Sequence, residues 1–160
     1  MDKLYHQELF ALIDINNCYV SCERVFNPKL NDKPVVVLSN NDGCVISRSN
    51  EAKALNISMA VPWYEIERDA VKAGVQVLSS NYPLYADMSR RFFEILGEHF
   101  NDQDLEPYSI DECFIRLSSY HQLFDLEQYC RELVQKIAQW LGLPCCIGIG
   151  YSKTQAKLAN

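Results

Sequence analysis

The alternation of apolar and polar residues along the chain predicts an α+β fold. Apolar runs at 10–13, 35–38 and 44–46 have the length and composition of buried strands, and the run at 144–150 predicts a central strand. Asn41-Asp42-Gly43 separates two of these runs. Asp-Gly between such runs is a hairpin signal, so the two strands are expected to pair.

Two longer segments carry apolar residues at the three- and four-residue spacing of amphipathic helices. The first spans 83–100 and the second 126–141, with Asp125 as the predicted N-cap of the second. Shorter helices are predicted at 51–55 and 154–160. The apolar faces of the two long helices contain Tyr85, Met88, Phe92, Leu96 and His99 in the first, and Leu126, Tyr129, Leu133, Ile137 and Trp140 in the second.

The order of elements is a strand, an inserted module, a helix, a hairpin, a helix and a strand. This order predicts a ferredoxin-like sheet with a small inserted α/β module. The run at 10–13 ends at Asp14, and a strand-like run at 108–110 leads into Asp111 and Glu112, where a hairpin turn is expected. These two strands would be neighbours in the sheet, so acids far apart in sequence would lie close together.

Carboxylates at neighbouring strand ends indicate a divalent-metal site for phosphoryl chemistry. Mg²⁺ prefers oxygen ligands and takes few of them from protein, because water and substrate phosphates supply the rest. Two such ions about 3.5–4 Å apart can stabilise both the attacking and the leaving oxygen. Adjacent strand residues point to opposite faces, so Asp111 and Glu112 converge only if a turn or bulge falls there. The alternative is an acid pair that is simply solvated at a turn.

Composition sets further bounds. The 160 residues are 48% hydrophobic, enough for the core of one domain or of one domain with an inserted module. No apolar run approaches the roughly 18 residues of a membrane span and no leader is recognised, so a soluble cytoplasmic protein without a membrane partner is expected. Seven cysteines without paired C-x-x-C spacing indicate neither a zinc site nor a complete disulfide framework. A net charge of −6 and a pI near 5.0 argue against strong autonomous binding to nucleic acid.

An ordered set of motifs adds to this picture. It comprises 11–23 (ALIDINNCYVSCE), 33–46 (KPVVVLSNNDGCVI), 79–82 (SSNY), 108–112 (YSIDE) and 152–160 (SKTQAKLAN). Together these segments closely resemble the Y-family DNA polymerases, and most closely the UmuC branch of that family. The resemblance runs from about Leu9 to the last residue.

The resemblance implies roles for the acids and for one tyrosine. Asp14, Asp111 and Glu112 fall where the family holds two catalytic Mg²⁺ ions, for which Mn²⁺ can substitute. The backbone carbonyl of Ile15 falls where the family adds another oxygen ligand. Tyr19 falls at the family's steric gate, a ring under the nucleotide sugar that clashes with a ribose 2′-OH. From the residues alone, a core aromatic is the simpler interpretation of Tyr19.

Further positions fall where the family contacts the incoming triphosphate, namely Ser47, Asn50, Lys53 and Lys157. The wider family usually has Tyr and Arg at the positions of Asn50 and Lys53, which argues against a bidentate, stacked grip. Arg48 is a candidate substitute. The alternative for Lys53 and Arg48 is a solvated helix face. Arg116 stands where relatives commonly carry an acid, and it is assigned no role.

By this resemblance, residues 1–18 and 80–160 form a polymerase palm and residues 19–79 form the fingers, with the family's thumb and little finger absent. The implied function is the catalytic core of an error-prone translesion DNA polymerase of the SOS response. It would join a deoxynucleoside triphosphate to a primer 3′-OH on template DNA. The family's protein partners are a UmuD-type dimer, the RecA filament and the sliding clamp.

Two alternatives stay open. One is a nucleotide cyclase on a similar palm, against which the lack of a Gly-Gly-Asp-Glu-Phe-like turn argues. The other is a truncated, non-catalytic polymerase fragment that binds nucleotide or a protein partner. The acids favour the enzyme core, and the acidic charge balance favours the binding module.

Overall fold

The computed structural model describes residues 8–120, 122–123 and 125–160. The chain divides into two compact units, one containing the residues up to Asn16 together with Ser89–Asn160, the other Asn17–Met88. Each unit has its own β-sheet. The assignment of chain segments to palm and fingers remains a prediction. Among the described residues, no helix combines the length and the hydropathy needed to cross a membrane.

Strands and helices are interspersed along the chain. The strands are β1 (Phe10–Ile15), β2 (Val35–Leu38), β3 (Val45–Arg48), β4 (Gln76–Ser79), β5 (Leu105–Pro107), β6 (Glu112–Arg116) and β7 (Cys145–Gly150). The helices are α1 (Cys18–Phe26), α2 (Asn50–Ala54), α3 (Trp63–Lys72), α4 (Tyr82–His99), α5 (Leu126–Leu141) and α6 (Lys153–Ala159).

The first unit is built on a four-stranded sheet with the order β5-β6-β1-β7. Every neighbouring pair in this sheet is antiparallel. Helices α4 and α5 connect strands that are not adjacent, which is the ferredoxin-like arrangement. The predicted α+β fold with an inserted α/β module is confirmed.

Both faces of the central strand β1 are buried, which explains its continuous apolar run. Ala11 and Ile13 on one face are 0% exposed. On the opposite face, Leu12 forms a small buried cluster with Phe114 of β6 and Ala156 of α6. Because α6 covers part of that second face, the strand does not show the alternation of a half-buried strand.

Strand β7 lies at the edge of the sheet, so the prediction of a central strand at 144–150 is wrong. Its apolar character has another cause, namely that α6 packs directly against it. A Cβ at Gly148 would lie 2.2 Å from the backbone nitrogen of Asn160 and 2.3 Å from the carbonyl oxygen of Ala156. Only glycine allows this close approach of helix and strand.

The two long helices are confirmed within a residue of their predicted bounds. Asp125 is the N-cap of α5, because its side chain accepts hydrogen bonds from the backbone N–H groups of Glu127 and Gln128. The placement of Trp140 on the buried face of α5 is wrong, since its side chain is 56% exposed. The Trp140 ring contacts the Lys136 ammonium, which lies 4.2 Å from the ring centroid.

The second unit has a three-stranded sheet with the order β3-β2-β4. The predicted hairpin is confirmed, because β2 and β3 pair antiparallel. In their connection Asn41 and Asp42 have positive φ, at 61° and 53°, whereas Gly43 has φ −76°. Helix α3 and strand β4 were not predicted from sequence. The core of the unit contains Val36, Leu38, Val45, Ala52, Ile57, Trp63, Ala70 and Val75.

Candidate functional site

Asp14 and Glu112 are directly opposed on the neighbouring strands β1 and β6. Directly opposed residues of an antiparallel pair project to the same face, with Cβ atoms about 4.5–5.5 Å apart. Both side chains are partly exposed. The predicted adjacency of the two strands is confirmed, and it places two carboxylates side by side on the face that also carries α6.

Asp111 lies in the turn that precedes β6. The strand predicted at 108–110 is wrong, because two consecutive backbone N–H groups in this segment, at 3.0 and 3.2 Å, donate to the same carbonyl oxygen of Glu112. That pattern closes a tight turn. The carbonyl oxygen of Asp111 accepts a hydrogen bond from the backbone N–H of Ile15 at 3.0 Å. The turn is therefore tied to the end of β1, where Asp14 lies.

Ser109 organises the acid turn, a role that sequence reasoning missed. Its hydroxyl donates to the carboxylate of Asp111 at 2.5 Å and accepts from the backbone N–H of Glu112 at 3.1 Å. Serine hydroxyls commonly bond backbone groups two or three residues further along a turn. A serine two residues before the acid pair was the signal that could have revealed this role.

Lys157 of α6 reaches the acids with its ammonium group. It donates to Oε1 of Glu112 at 2.8 Å and lies 4.6 Å from the centroid of the Tyr108 ring. The hydrogen bond to Glu112 raises the pKa of Lys157, and the charges of Glu112 and Asp14 add to this effect. The structure therefore brings the predicted triphosphate contact Lys157 together with the predicted metal acids.

The donor set fits Mg²⁺, although in the part of the chain that the structure describes no three His, Cys, Asp or Glu side chains form a ready-made metal cage. Mg²⁺ needs only one or two protein carboxylates when substrate phosphates and water complete its shell. Asp14, Glu112 and Asp111 offer oxygen alone. The side chain of Ile15 is aliphatic and has no donor atom, so only its backbone carbonyl could contribute.

Tyr19 lies in the second unit, in the first turn of α1. Its ring stacks on that of Tyr85, with the centroids 4.3 Å apart and the planes 15° from parallel. The ring of Tyr82 meets both of them edge-on at 6.1 Å. Tyr19 itself is partly exposed. It therefore packs on a core aromatic and still has surface available to a ligand.

Ser47 and Asn50 both contact the start of α1. The buried hydroxyl of Ser47 accepts from the backbone N–H of Val20 at 3.3 Å and donates to the carbonyl of Asn17 at 3.4 Å. The side-chain oxygen of Asn50 accepts from the side-chain amide of Asn17 at 3.1 Å. The structure thus brings Ser47 and Asn50 to the same helix end as Tyr19.

Arg48 does not join this group. It follows Ser47 on β3 and therefore projects to the opposite face of the sheet. Its Nη1 donates to the carbonyl of Ile57 at 2.6 Å, and its Nε is buried without a hydrogen-bond partner among the described residues. Its predicted role in nucleotide binding gains no support from this geometry. Lys53 is exposed in the last turn of α2, one turn from Asn50.

Solved structures of DNA polymerases share this fold. An insertion ternary complex of the Dbh DNA polymerase matches with a TM-score of 0.83 at 22% identity, over 94% of this chain and 44% of the Dbh chain. DinB from Sulfolobus solfataricus matches with a TM-score of 0.82 at 22% identity, over the same shares of the two chains. The fold is that of a polymerase palm with an inserted fingers module.

Sequence comparison defines the family. Residues 13–160 match the model of the impB/mucB/samB family, and the chain belongs to that family. Over 152 residues it is 47% identical to protein ImpB and 46% identical to protein UmuC, both from Salmonella typhimurium. It is 33% identical to DNA polymerase IV 1 of Bacillus subtilis. These alignments cover 92–95% of this chain but only 35–36% of the relatives, so the chain spans about a third of their length.

Proposed function

We propose that this chain carries the catalytic core of an error-prone translesion DNA polymerase. The observation that carries the proposal is the direct opposition of Asp14 and Glu112, with Asp111 in the adjoining turn. Two-metal phosphoryl transfer needs carboxylates that converge on one point, and opposed residues of neighbouring strands can supply them. Membership of the impB/mucB/samB family, with relatives named DNA polymerase IV, supports the reaction type.

In the proposed reaction the primer 3′-OH attacks the α-phosphate of a deoxynucleoside triphosphate. The 3′-OH gives up its proton to water, a new P–O bond to the 3′ oxygen forms as the bond between the α-phosphorus and the bridging oxygen breaks, and pyrophosphate leaves. Asp14, Asp111 and Glu112, with the carbonyl of Ile15, would hold two Mg²⁺ ions, or Mn²⁺ in their place. Bound there, the ions would supply charge neutralisation at the reacting phosphate.

The other residues of the site would bind and orient the nucleotide. Lys157 would exchange its bond to Glu112 for a triphosphate oxygen, a role that suits a compact ammonium charge on a flexible stem. From the family resemblance alone, Ser47, Asn50 and Lys53 are also proposed as triphosphate contacts. Tyr19 would pack beneath the sugar and exclude a ribose 2′-OH.

Primer–template DNA and a deoxynucleoside triphosphate are the proposed ligands, supported by the similar structure solved as an insertion ternary complex of a DNA polymerase. A role in the SOS response, with a UmuD-type dimer, the RecA filament and the sliding clamp as partners, is proposed from the family resemblance alone.

The second candidate function is a non-catalytic module that binds nucleotide or a protein partner. The net charge of −6 favours it, because DNA affinity comes largely from Lys and Arg that release counterions. The two functions differ in one result. A binding module retains metal-dependent nucleotide binding and extends no primer in any longer form of the protein.

Thermal unfolding with and without Mg²⁺ and dATP tests the shared metal and nucleotide site. A ligand in tenfold excess over its Kd should raise the Tm by about 3–6 °C, because it binds the native state alone. Asp111→Ala should abolish this shift. Asp102→Ala removes an exposed acid of the same unit outside the site, so it should retain the shift. A wild-type Tm that is unchanged by millimolar dATP and Mg²⁺ would contradict the proposal.

A further inference from the structure

Tyr85 contacts helix α1 at two points. Its ring stacks on Tyr19 at 4.3 Å, and its hydroxyl donates to Oε1 of Glu23 at 2.8 Å. Tyr19 and Glu23 are four residues apart in α1, so they lie on one face, about 6 Å apart along the helix axis. A ring held both at its face and at its hydroxyl has a fixed position and tilt relative to α1.

Burial strengthens this attachment. The side chain of Tyr85 is 0% exposed, so no water competes for its hydroxyl. Burial raises the pKa of Tyr85, and the bond to the Glu23 carboxylate adds to the effect. The phenol therefore stays protonated at neutral pH and remains a donor to Glu23. Hydrogen bonds to a charged acceptor are among the stronger ones in proteins.

Tyr82 confines the same pair from the side. Its ring stands at 90° to that of Tyr19 and at 82° to that of Tyr85, with both centroid distances at 6.1 Å. Edge-to-face contacts of this kind are a favoured aromatic geometry. A rotation of Tyr19 about χ1 would break its stack on Tyr85 and its edge contact with Tyr82 together.

We infer that Tyr85, fixed by Glu23, is the positioning residue for sugar discrimination at Tyr19. The inference rests on the proposed function, in which Tyr19 lies beneath the nucleotide sugar. Steric exclusion works only while the excluding ring cannot move aside, because a mobile side chain would admit the 2′-OH by changing rotamer. Tyr85 is buried, so it acts on the nucleotide only through Tyr19.

Ring NMR on the 160-residue chain tests the positioning without any ligand. With ring-labelled tyrosines, Tyr85→Leu should shift the Tyr19 resonances, because the stacked ring and its ring current are lost. Tyr85→Phe keeps the ring, so the Tyr19 resonances should stay close to their wild-type positions. Phe92→Leu is the matched control, since Phe92 is also a 0% exposed aromatic of α4 and its ring meets that of Phe93 edge-on at 5.3 Å. It should leave the Tyr19 resonances in place.

Nucleotide binding tests the consequence. The Kd ratio of ATP to dATP, measured calorimetrically with Mg²⁺, should fall about twofold to tenfold in Tyr85→Leu, the factor that corresponds to the energy of one aromatic pair. Tyr85→Phe should restore most of the ratio, and Phe92→Leu should not change it. Tyr19→Ala with Tyr85→Leu should match Tyr19→Ala alone, because residues that act through one another are not additive.

The outcomes separate the inference from the function on which it rests. Unchanged Tyr19 resonances in Tyr85→Leu would overturn the positioning role while nucleotide binding persists. An equal fall of the Kd ratio in Phe92→Leu would show that Tyr85 is only a core residue. Additive losses in the Tyr19→Ala, Tyr85→Leu double variant would show the same. A wild-type chain that binds neither ATP nor dATP would overturn the proposed function and the specificity role with it.

Discussion

Lys157 donates a hydrogen bond to Glu112, so an ammonium occupies a carboxylate that the proposed metal site requires. The pair is accessible, with side chains 49% and 19% exposed for Lys157 and Glu112. Exposed ion pairs are weak, which makes the ammonium easy to displace. Without nucleotide, Lys157 and a divalent cation at the proposed site would compete for Glu112. With nucleotide, the triphosphate offers Lys157 another anionic partner.

Replacing Lys157 with Met should therefore strengthen metal binding in the absence of nucleotide. The Kd for Mn²⁺, measured by the EPR signal of the free ion, should fall about twofold to fivefold, the range that an exposed ion pair represents. Lys153→Met is the control, because Lys153 pairs with Glu106 and not with the acids. With dATP present, Lys157→Met should instead weaken nucleotide binding. An unchanged Mn²⁺ affinity would show that the Lys157–Glu112 pair does not compete with the metal.

The close approach of α6 to β7 gives a stability prediction. Gly148→Ala would place a Cβ 2.2 Å from backbone of the helix, so the helix must shift. In urea unfolding, the free energy of unfolding should fall by about 1–3 kcal/mol, the usual cost of overpacking. Because α6 carries Lys157, a shift of the helix should also disturb the Lys157–Glu112 pair. In the Gly148→Ala background, Lys157→Met should therefore no longer change the affinity for Mn²⁺.

Gly97→Ala is the matched control for that substitution. A Cβ at Gly97 meets nothing within 4 Å, and the residue lies on the exposed side of α4. Alanine should therefore stabilise the protein by about 0.5–1 kcal/mol through helix propensity. Equal effects of the two substitutions would mean that α6 does not pack on β7 in solution.

The long helices were predictable because many residues repeat the same period. Helices α4 and α5 each offer several apolar positions, and Asp125 caps α5 as its type and position predict. Short elements such as α3 and β4 contain too few residues for a period to stand out. The edge position of β7 depends on which strands pair with it, which is a tertiary property that local sequence does not contain.

The position of the acids could be predicted from the sequence, whereas the surroundings of Tyr19 could not. Asp14 and Glu112 could be located because each adjoins an apolar run and the element order makes their strands neighbours. The opposite projection of Ser47 and Arg48 also follows from the alternation of side chains along a strand. The stack of Tyr19 on Tyr85 could not be foreseen, because it depends on how the start of α4 packs on α1.

Primer extension by the 160-residue chain should be close to background. Its net charge of −6 opposes a polyanionic template, and affinity for DNA depends on cations that release counterions. Binding to primer–template measured by fluorescence anisotropy should be weak and should fall steeply between 50 and 200 mM salt. Processive synthesis by these residues alone would contradict the expectation that the DNA grip lies elsewhere.

Tyr19→Ala tests the steric gate in a form of the protein that extends a primer. Removing the ring removes the clash with a 2′-OH, so discrimination against ribonucleotides should fall about a hundredfold, the scale on which a pocket rejects one added hydroxyl. Deoxynucleotide incorporation should change far less. Tyr19→Phe keeps the ring and its stack on Tyr85, so it should retain discrimination. The measurement is the ratio of kcat/KM for matched deoxy and ribo substrates in the three proteins. A ratio unchanged in Tyr19→Ala would make Tyr19 a core aromatic, held by Tyr85 for packing alone.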